Sequence, residues 1–271
     1  MRILLDNGIF SHSEFAESAV SQTSVPWGGT DCVSAIYGVI RKAPNKNLVY
    51  QEQQDALFTV GRLIRTELIE AYSYSEIECE RWRDRIGLRV CNALRGCGIH
   101  SCRPAVERGR FRKTVDFTDA ISKGGKKDVR AGIALGEANQ VAFLKWLCTL
   151  TKEHIDLLLP HATLIGLTEF DIESLRDICW FQFLCERSGS PENYPDVFHL
   201  WTAERNGLDA LLTLDNGLRN LVSRVRSENV RTITIRTDVL HPLDLLRKLG
   251  IDNPDSVPME PDRFYYLHEL D

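Results

Sequence analysis

The sequence has no long apolar run and no excess of positive charge. Its N-terminal apolar stretch, residues 3–5, is too short for a secretory signal peptide. No stretch approaches the ~18 apolar residues that a membrane-spanning helix needs. Against 33 Lys and Arg stand 38 Asp and Glu, so the formal net charge is −5. We therefore expect a cytoplasmic protein without a membrane partner, in which any binding of nucleic acid depends on a local basic surface.

A paired Cys-x-x-Cys motif is absent as well. The chain has eight cysteines, and without an export signal they are expected to be reduced thiols rather than disulfides. Cys91, Cys97, His100 and Cys102 carry side chains that zinc prefers. Their irregular spacing favours buried or half-buried free thiols, which leaves a zinc site as the weaker alternative.

Apolar residues recur in patterns typical of alternating strands and helices. Short apolar runs predict strands at residues 1–6, 68–74, 163–168, 210–212 and 232–236. Helical spacing with start and stop signals predicts helices at residues 11–20, 51–65, 75–95, 129–154, 169–187, 196–205, 216–225 and 242–249. Residues 34–41 fit either an extra strand or a short helix. The alternation implies an α/β protein with a largely parallel sheet.

The length of 271 residues and an apolar content of 43% allow a sizeable core. We expect a single domain over residues 1–252, although two small domains also fit this length. Residues 96–130 form an irregular, glycine-punctuated insertion, and its part from residue 103 onward holds nine Lys and Arg against four Asp and Glu. Residues 253–271 form a Pro-rich C-terminal tail that we expect to be loosely packed.

Residues 196–215 carry the most informative pattern in the chain. Their first half has a one-sided apolar spacing that suits a helix with one buried face, and Asn206-Gly207 is a helix stop signal. Residues 210–212 then form an apolar run typical of a strand buried on both faces. If helix and strand pack antiparallel, Asp196 at the helix start and Asp215 beyond the strand lie at the same edge of the sheet.

This stretch resembles the C-terminal signature of PIN-domain nucleases, in which an Asp opens a helix and Thr-x-Asp closes the next strand. The residues that carry the likeness are Asp196, Phe198-His199, Ala203, Gly207, Asp209, Leu212-Thr213 and Asp215. Residues 1–6, which end in Asp6, resemble the first strand of that family, and residues 232–246 resemble its last strand and helix. The resemblance implies a three-layer α/β/α fold of about five strands in the order 3-2-1-4-5, here with an enlarged middle region.

In that strand order the first and fourth strands are neighbours, and the chain changes winding direction between them. Open α/β sheets bind ligands beyond the carboxyl ends of strands at such a point. Asp6 ends the first strand and Asp215 the fourth, while Glu78, Glu80 and Asp196 lie near helix starts at the same edge. We therefore predict Asp6, Asp196 and Asp215 as catalytic metal ligands, with Glu78 or Glu80 completing the catalytic group.

Gathered carboxylates repel each other, and a divalent cation removes that conflict. Oxygen ligands favour Mg²⁺ or Mn²⁺ over zinc. A water held by such a metal suits phosphodiester hydrolysis, and the resemblance implies a metal-dependent ribonuclease without a nucleophilic side chain. We expect the Thr213 hydroxyl to support the site, Asn7 to be at most a peripheral water ligand, and His199 to be a packed helix residue.

Each acidic residue also has a purely structural interpretation. Asp6 can cap the following loop, and Asp215 can form an Asx-turn. Asp196 can complement the helix dipole. Glu78 fits a capping box with Ser75, whereas Glu80 can be a solvated helix residue.

The basic segment is the predicted contact for the substrate. Arg110, Arg112, Lys126 and Lys127 are expected to bind the phosphate backbone of single-stranded or structured RNA, with a solvated loop as the alternative. The preferred function is a metal-dependent endoribonuclease, and the alternatives are an inactive PIN-like binding or scaffold module and a DNA-directed nuclease. A regulatory protein partner and a homo-oligomer both stay open.

Overall fold

A five-stranded sheet forms the centre of the fold. The computed structural model describes residues 1–83, 91–108, 126–228, 233–266 and 269, and the side chains of residues 82–83, 126–133 and 135 fall outside this description. The strands of the sheet are β1 (Arg2–Leu5), β4 (Glu70–Ser73), β5 (Ile99–Ser101), β6 (Ala210–Leu212) and β7 (Asp238–Leu240), in the order β5-β4-β1-β6-β7. Every pairing in it is parallel, which confirms the predicted α/β class with a parallel sheet.

Helices flank this sheet, consistent with a three-layer α/β/α arrangement. They are α1 (Asn7–His12), α2 (Leu48–Arg65), α3 (Ser75–Arg83), α4 (Lys126–Cys148), α5 (Lys152–Leu158), α6 (Glu169–Arg176), α7 (Ile178–Arg187), α8 (Tyr194–Arg205), α9 (Asn216–Ser227) and α10 (Pro242–Lys248). The central strand β1 is covered on both faces, since Ile3, Leu4 and Leu5 are fully buried. Unbroken apolar runs are what strands in the middle of a parallel sheet require.

A second, antiparallel sheet corrects the predicted helix at residues 11–20. It consists of β2 (Ala16–Trp27), β3 (Thr30–Arg41) and β8 (Phe264–Tyr266), in that order. Gly28 and Gly29 both have positive φ and close the two-residue turn between β2 and β3, which favours a hairpin over a helix. The segment that fitted either a strand or a helix is therefore part of β3. Strand β8 belongs to the C-terminal tail and pairs with β3, so that part of the tail packs more closely than expected.

Two strands of the parallel sheet lie outside the predicted segments. Within the parallel sheet, the third strand along the chain is β5, which lies inside the segment predicted to be irregular. The strand predicted at residues 163–168 is wrong. That segment forms turns around Gly166, which has positive φ, and Leu164 and Ile165 are exposed. The last strand is β7, whereas residues 233–236 have no regular structure.

Three predicted helices are shorter than expected. The helix predicted over residues 129–154 is divided into α4 and α5, because Thr151 forms a capping box with His154 and starts a new helix. The helix predicted over residues 169–187 is likewise divided into α6 and α7 at Asp177. Helix α3 is described to Arg83, and Asn92, within the predicted helix, instead forms a β-bridge with Glu14.

Helix α2 packs against the segment that follows α3 through a close backbone contact at Gly61. A Cβ atom at this position would overlap the Ala93 carbonyl oxygen. We predict that Gly61→Ala lowers the free energy of unfolding by about 1–3 kcal/mol, since it overpacks a tight contact. Gly98→Ala is the matched control, because Gly98 has open space around its Cα and should change stability by less than about 0.5 kcal/mol. Equal denaturation midpoints for the two variants in urea would show that α2 can shift freely at Gly61.

Candidate functional site

The carboxyl ends of β1 and β6 meet at one edge of the parallel sheet. Leu5 pairs with Leu212, and the next residue along, Asp6, donates its backbone N–H to the Leu212 carbonyl over 3.0 Å. Thr213, the residue after β6, donates its backbone N–H to Leu240 of β7 over 3.0 Å. The ladder therefore places Asp6 and Thr213 side by side at the point where strand order reverses around β1.

Three ionisable side chains converge at this edge. Donor atoms of Asp6, Glu80 and His199 all lie within 4.8 Å of one another, and in the described part of the chain this is the one group of three or more metal-ligating side chains so arranged. Asp6 comes from the end of β1, Glu80 from α3 and His199 from α8. Two carboxylates and an imidazole at this separation can share a divalent cation.

The Asp6 side chain is held by the neighbouring strand rather than by the helix that follows it. Thr213 Oγ1 donates a hydrogen bond of 2.6 Å to Asp6 Oδ2 and accepts one of 3.0 Å from the Asp215 backbone N–H. Asp6 occupies the N-cap position of α1 but makes no side-chain capping bond. The Asp6 carboxylate is therefore directed toward the group, although the Asn7 backbone N–H also acts on it.

His199 is fixed on both sides of its ring. Its Nδ1 lies 2.6 Å from the Tyr74 hydroxyl, and its Nε2 lies 3.4 Å from Glu80 Oε1. Since an ionised carboxylate can only accept, Nε2 carries a proton, while the tyrosine hydroxyl can donate to or accept from Nδ1. Gln140 Nε2 donates to Glu80 Oε1 over 3.0 Å, so the carboxylate is held from α4 as well.

The carboxylates control the charge of His199. Burial alone would lower the pKa of its imidazole, but Glu80, Asp6 and Asp196 together raise it to about 9. The side chain of His199 is almost completely buried, so this cation is compensated by the carboxylates and not by water. A packed helix histidine was expected here; the structure places the ring inside the acidic group.

Asp196 lies one helical turn before His199 on α8 and belongs to the same electrostatic unit. Burial raises its pKa to about 7; the positive charge of His199 opposes this rise, and the charges of Asp6 and Asp215 add to it. Burial also raises the pKa of Asp6, against the lowering effects of His199 and the Thr213 hydrogen bond. Both shifts show carboxylates that are crowded and poorly solvated, which is the condition that a cation relieves.

The predicted ligand set and the observed group share only Asp6. Asp196 interacts with the group through its charge but is not among the side chains within 4.8 Å. The Asp215 carboxylate accepts hydrogen bonds from the backbone N–H groups of Gly217 and Leu218, at 2.8 and 3.0 Å, and so caps α9. Its structural interpretation as a turn and cap residue is therefore correct, at the same edge of the sheet.

Of the two candidate glutamates, Glu80 and not Glu78 joins the group. Glu78 Oε1 accepts 2.8 Å from Ser73 Oγ, and both of its oxygens bind Arg81 at 2.9–3.0 Å, which directs the carboxylate away. Of the two alternatives, Glu80 therefore completes the group and Glu78 lies outside it. Asn7 contributes its backbone N–H, which lowers the pKa of Asp6.

The predicted substrate contacts fall at the limit of what the structure describes. Arg110 and Arg112 lie outside the described residues. Lys126 and Lys127 begin α4, but their side chains also fall outside the description.

Sequence reasoning missed three residues of the site. They are His199 as a member of the group, and Tyr74 and Gln140 as the residues that position it. A usable signal existed for His199 alone, because it follows Asp196 by three residues on a helix and so shares its face.

The pKa shifts predict how the stability of the metal-free protein depends on pH. The pKa of His199 is about 9 in the fold and 6.5 when unfolded, so its stabilising contribution is complete below pH 6.5 and is lost as pH rises through 9. Asp196 has the same effect at lower pH. Its pKa is raised from 3.8 to about 7, so its ionisation destabilises the fold increasingly as the pH rises between these two values. We therefore expect the free energy of unfolding in EDTA to fall by about 3 kcal/mol between pH 6.5 and 9.

Denaturant titrations of the wild-type chain across that pH range check this expectation. His199→Gln should flatten the dependence, whereas His161→Gln, at an exposed position, should leave it unchanged. A wild-type profile that is flat or rises over the range would contradict a buried, carboxylate-paired imidazolium.

Comparisons of the chain with known proteins give no relative from which the role of this site could be inferred. No protein-family model, no curated protein and no solved structure matches the chain. Within the described residues, no helix has the length and apolar character to cross a membrane. The chemistry of the site therefore follows from its own side chains.

Proposed function

We propose that the protein is a metal-dependent endoribonuclease that hydrolyses phosphodiester bonds at the group formed by Asp6, Glu80 and His199. The observation that carries the proposal is the convergence of these donor atoms within 4.8 Å at the carboxyl ends of adjacent parallel strands. Crowded carboxylates with raised pKa values are a frequent property of catalytic sites.

The topology supports the same proposal. Numbered along the chain within the parallel sheet, the order β5-β4-β1-β6-β7 reads 3-2-1-4-5, which is the order that the PIN-domain resemblance implies. The group lies at the end of β1, which has β4 and β5 on one side in the sheet and β6 and β7 on the other. Ligand sites in open α/β sheets concentrate at this point.

The donor set fits a divalent cation of intermediate hardness. Asp6 and Glu80 would hold Mg²⁺ or Mn²⁺ through oxygen, and His199 would join them only after Nε2 has released its proton. An imidazole ligand shifts the preference toward Mn²⁺, since Mg²⁺ takes oxygen ligands almost exclusively. When bound, such an ion supplies an acidified water and stabilises negative charge on a phosphoryl group.

The remaining side chains have roles that follow from their contacts. Burial keeps the pKa of Asp196 at about 7 in the metal-free protein, and a bound cation would lower it, so that Asp196 would be ionised and able to accept a proton from an attacking water near neutral pH. Thr213 orients Asp6 through its 2.6 Å hydrogen bond, and Tyr74 orients His199 in the same way. The site therefore needs no nucleophilic side chain. The choice of RNA over DNA rests on the resemblance.

A second candidate function has a specific observation in its favour. The imidazolium of His199 already opposes the charges of Glu80 and Asp6, and the Asp215 carboxylate is engaged as a helix cap. Such a self-compensated group is stable without a metal. It fits a PIN-like module that binds nucleic acid or a protein without hydrolysing a substrate.

Cleavage of a labelled single-stranded RNA in Mn²⁺ and in EDTA tests the proposal. We expect cleavage only with the metal, and loss of cleavage in Asp6→Asn and in Glu80→Gln, because each removes a negatively charged ligand. Glu78→Gln is the matched control on the same helix and should retain cleavage, since its carboxylate binds Arg81 outside the group. A DNA strand of the same base order measures the preference between the two substrates.

Calorimetric titration with Mn²⁺ separates the two candidate functions. The nuclease requires Mn²⁺ binding that is weakened in Asp6→Asn and Glu80→Gln and unchanged in Glu78→Gln. Absence of both Mn²⁺ binding and RNA cleavage in the wild-type chain would reject the nuclease and leave the non-hydrolysing module.

A further inference from the structure

A pocket with a volume of about 310 Å³ lies at the start of α9, and Asp6, Glu80 and His199 are not among its lining residues. It is lined by residues of α2, α9 and α10. Leu214 and Asn216, which flank Asp215 in the chain, form part of its wall. A volume of this size is at the lower end of those that hold small organic ligands.

Two arginines of the pocket share one acidic partner. Arg219 NH2 lies 2.8 Å and Arg247 NH1 3.1 Å from the Asp244 carboxylate. The side chains of both arginines stay partly exposed, at 41% and 64%, so their other N–H groups can reach a ligand. Planar guanidinium groups bind phosphate through paired hydrogen bonds.

His241 forms part of the pocket wall and is 6% exposed. Arg219 NH1 approaches His241 Nδ1 at 3.4 Å, and because a guanidinium can only donate, Nδ1 accepts from it. The imidazole therefore helps to hold the Arg219 guanidinium at the pocket.

The rest of the lining suits the nucleoside part of a ligand. Tyr50 offers an aromatic ring, Leu243 an apolar surface, and Asn47 an amide that can pair with a polar edge. Tyr50 is partly buried, and burial raises the pKa of its hydroxyl. Aromatic rings bind bases of any sequence by stacking.

The pocket is continuous with the carboxylate edge through α9. Asp215 caps this helix, and Arg219 follows four residues later, a rise of about 6 Å along the helix axis. His241 also lies against Asp215: burial and Arg219 lower the pKa of His241, while the Asp215 backbone carbonyl raises it. A strand that passes Asp215 would thus meet Arg219 within about one helical turn.

We infer that this pocket binds a nucleotide through its phosphate, which Arg219 and Arg247 contact while the base packs on Tyr50. The inference rests on the proposed function for its assignment of the nucleotide to the substrate strand. The phosphate chemistry is the same for a free mononucleotide. Glu52, exposed at the rim, opposes the phosphate by its charge and therefore limits affinity.

Calorimetric titration of the full-length chain in EDTA tests the pocket without the metal. The probes are uridine 5′-monophosphate, uridine and a uridine tetranucleotide. We expect the monophosphate to bind at least about tenfold more tightly than uridine, since its phosphate can accept charge-assisted hydrogen bonds from the arginines. Arg219→Gln and Arg247→Gln should each remove most of that difference, and Glu52→Gln should tighten binding by up to about fivefold.

Arg224→Gln is the matched control on α9, because Arg224 binds the Arg187 carbonyl away from the pocket; it should leave the affinity unchanged. Tighter binding of the tetranucleotide than of the monophosphate assigns the pocket to a strand, and equal binding assigns it to a free nucleotide. Equal binding of uridine and its monophosphate, or affinities insensitive to Arg219, Arg247 and Glu52, would overturn the inference.

Titrations in EDTA also keep this inference separate from the nuclease proposal. Phosphate-dependent binding without RNA cleavage in Mn²⁺ would reject the nuclease and retain the pocket. Metal-dependent cleavage without phosphate-dependent binding would retain the nuclease and reject the pocket.

Discussion

The parallel pairing of β1 with β6 is the constraint on which the site depends. It fixes Leu5 opposite Leu212, and the next residue of each strand then carries a polar side chain, Asp6 and Thr213. A shift of one residue would turn one of these side chains to the opposite face of the sheet. Both faces of these strands are filled by buried apolar residues, and the shift is prevented because it would carry a polar end residue such as Asp6 into that core. Packing in the core therefore determines the 2.6 Å hydrogen bond that orients Asp6.

The charges at this edge explain why α3 and α8 both approach it. A buried imidazolium requires negative partners, and crowded carboxylates require a positive one. His199 and Glu80 meet both needs at 3.4 Å, with Tyr74 and Gln140 holding the two side chains in place. A divalent cation would take over the role of His199 as the positive partner. Bound metal and protonated imidazole thus compete for the same carboxylates, which is why the nuclease and the non-hydrolysing module share one geometry.

The sequence was sufficient for the elements with strong local signals. Strands β1 and β6 are unbroken apolar runs, and α2, α9 and α10 have one-sided apolar spacing with recognisable ends, so each was predicted within a few residues. Strands β5 and β7 were not. Ile99–Ser101 is a three-residue strand at the edge of the sheet, and its pairing with β4 supplies a stability that no local pattern reveals. Conversely, residues 163–168 are apolar but exposed, and sequence alone does not distinguish a buried apolar run from an exposed one.

The same limit applied to the site. Asp6 was predictable because it ends a central strand, whereas the choice between Glu78 and Glu80 depended on the rotation of α3, which Arg81 and Ser73 fix by holding Glu78. His199 was judged from its type alone, and its charge state depends on Glu80, more than a hundred residues earlier in the chain. A contact between distant segments decided the state of His199, and hydrogen bonds among near neighbours decided the orientation of Glu78; neither leaves a mark in the apolar spacing.

Asp215 connects the group of Asp6, Glu80 and His199 to the pocket that contains Arg219, and it does so by its position more than by its charge. Two backbone N–H groups of α9 hold its carboxylate, and recruiting it to a metal would remove a cap that contributes about 0.5–2 kcal/mol. Its backbone N–H binds Thr213, which in turn binds Asp6. The start of α9 is therefore tied to the end of β1 through one hydroxyl group, and Arg219 is carried by that same helix. A nucleotide held at Arg219 would accordingly have a fixed distance to Asp6, which is what cleavage at a defined bond requires.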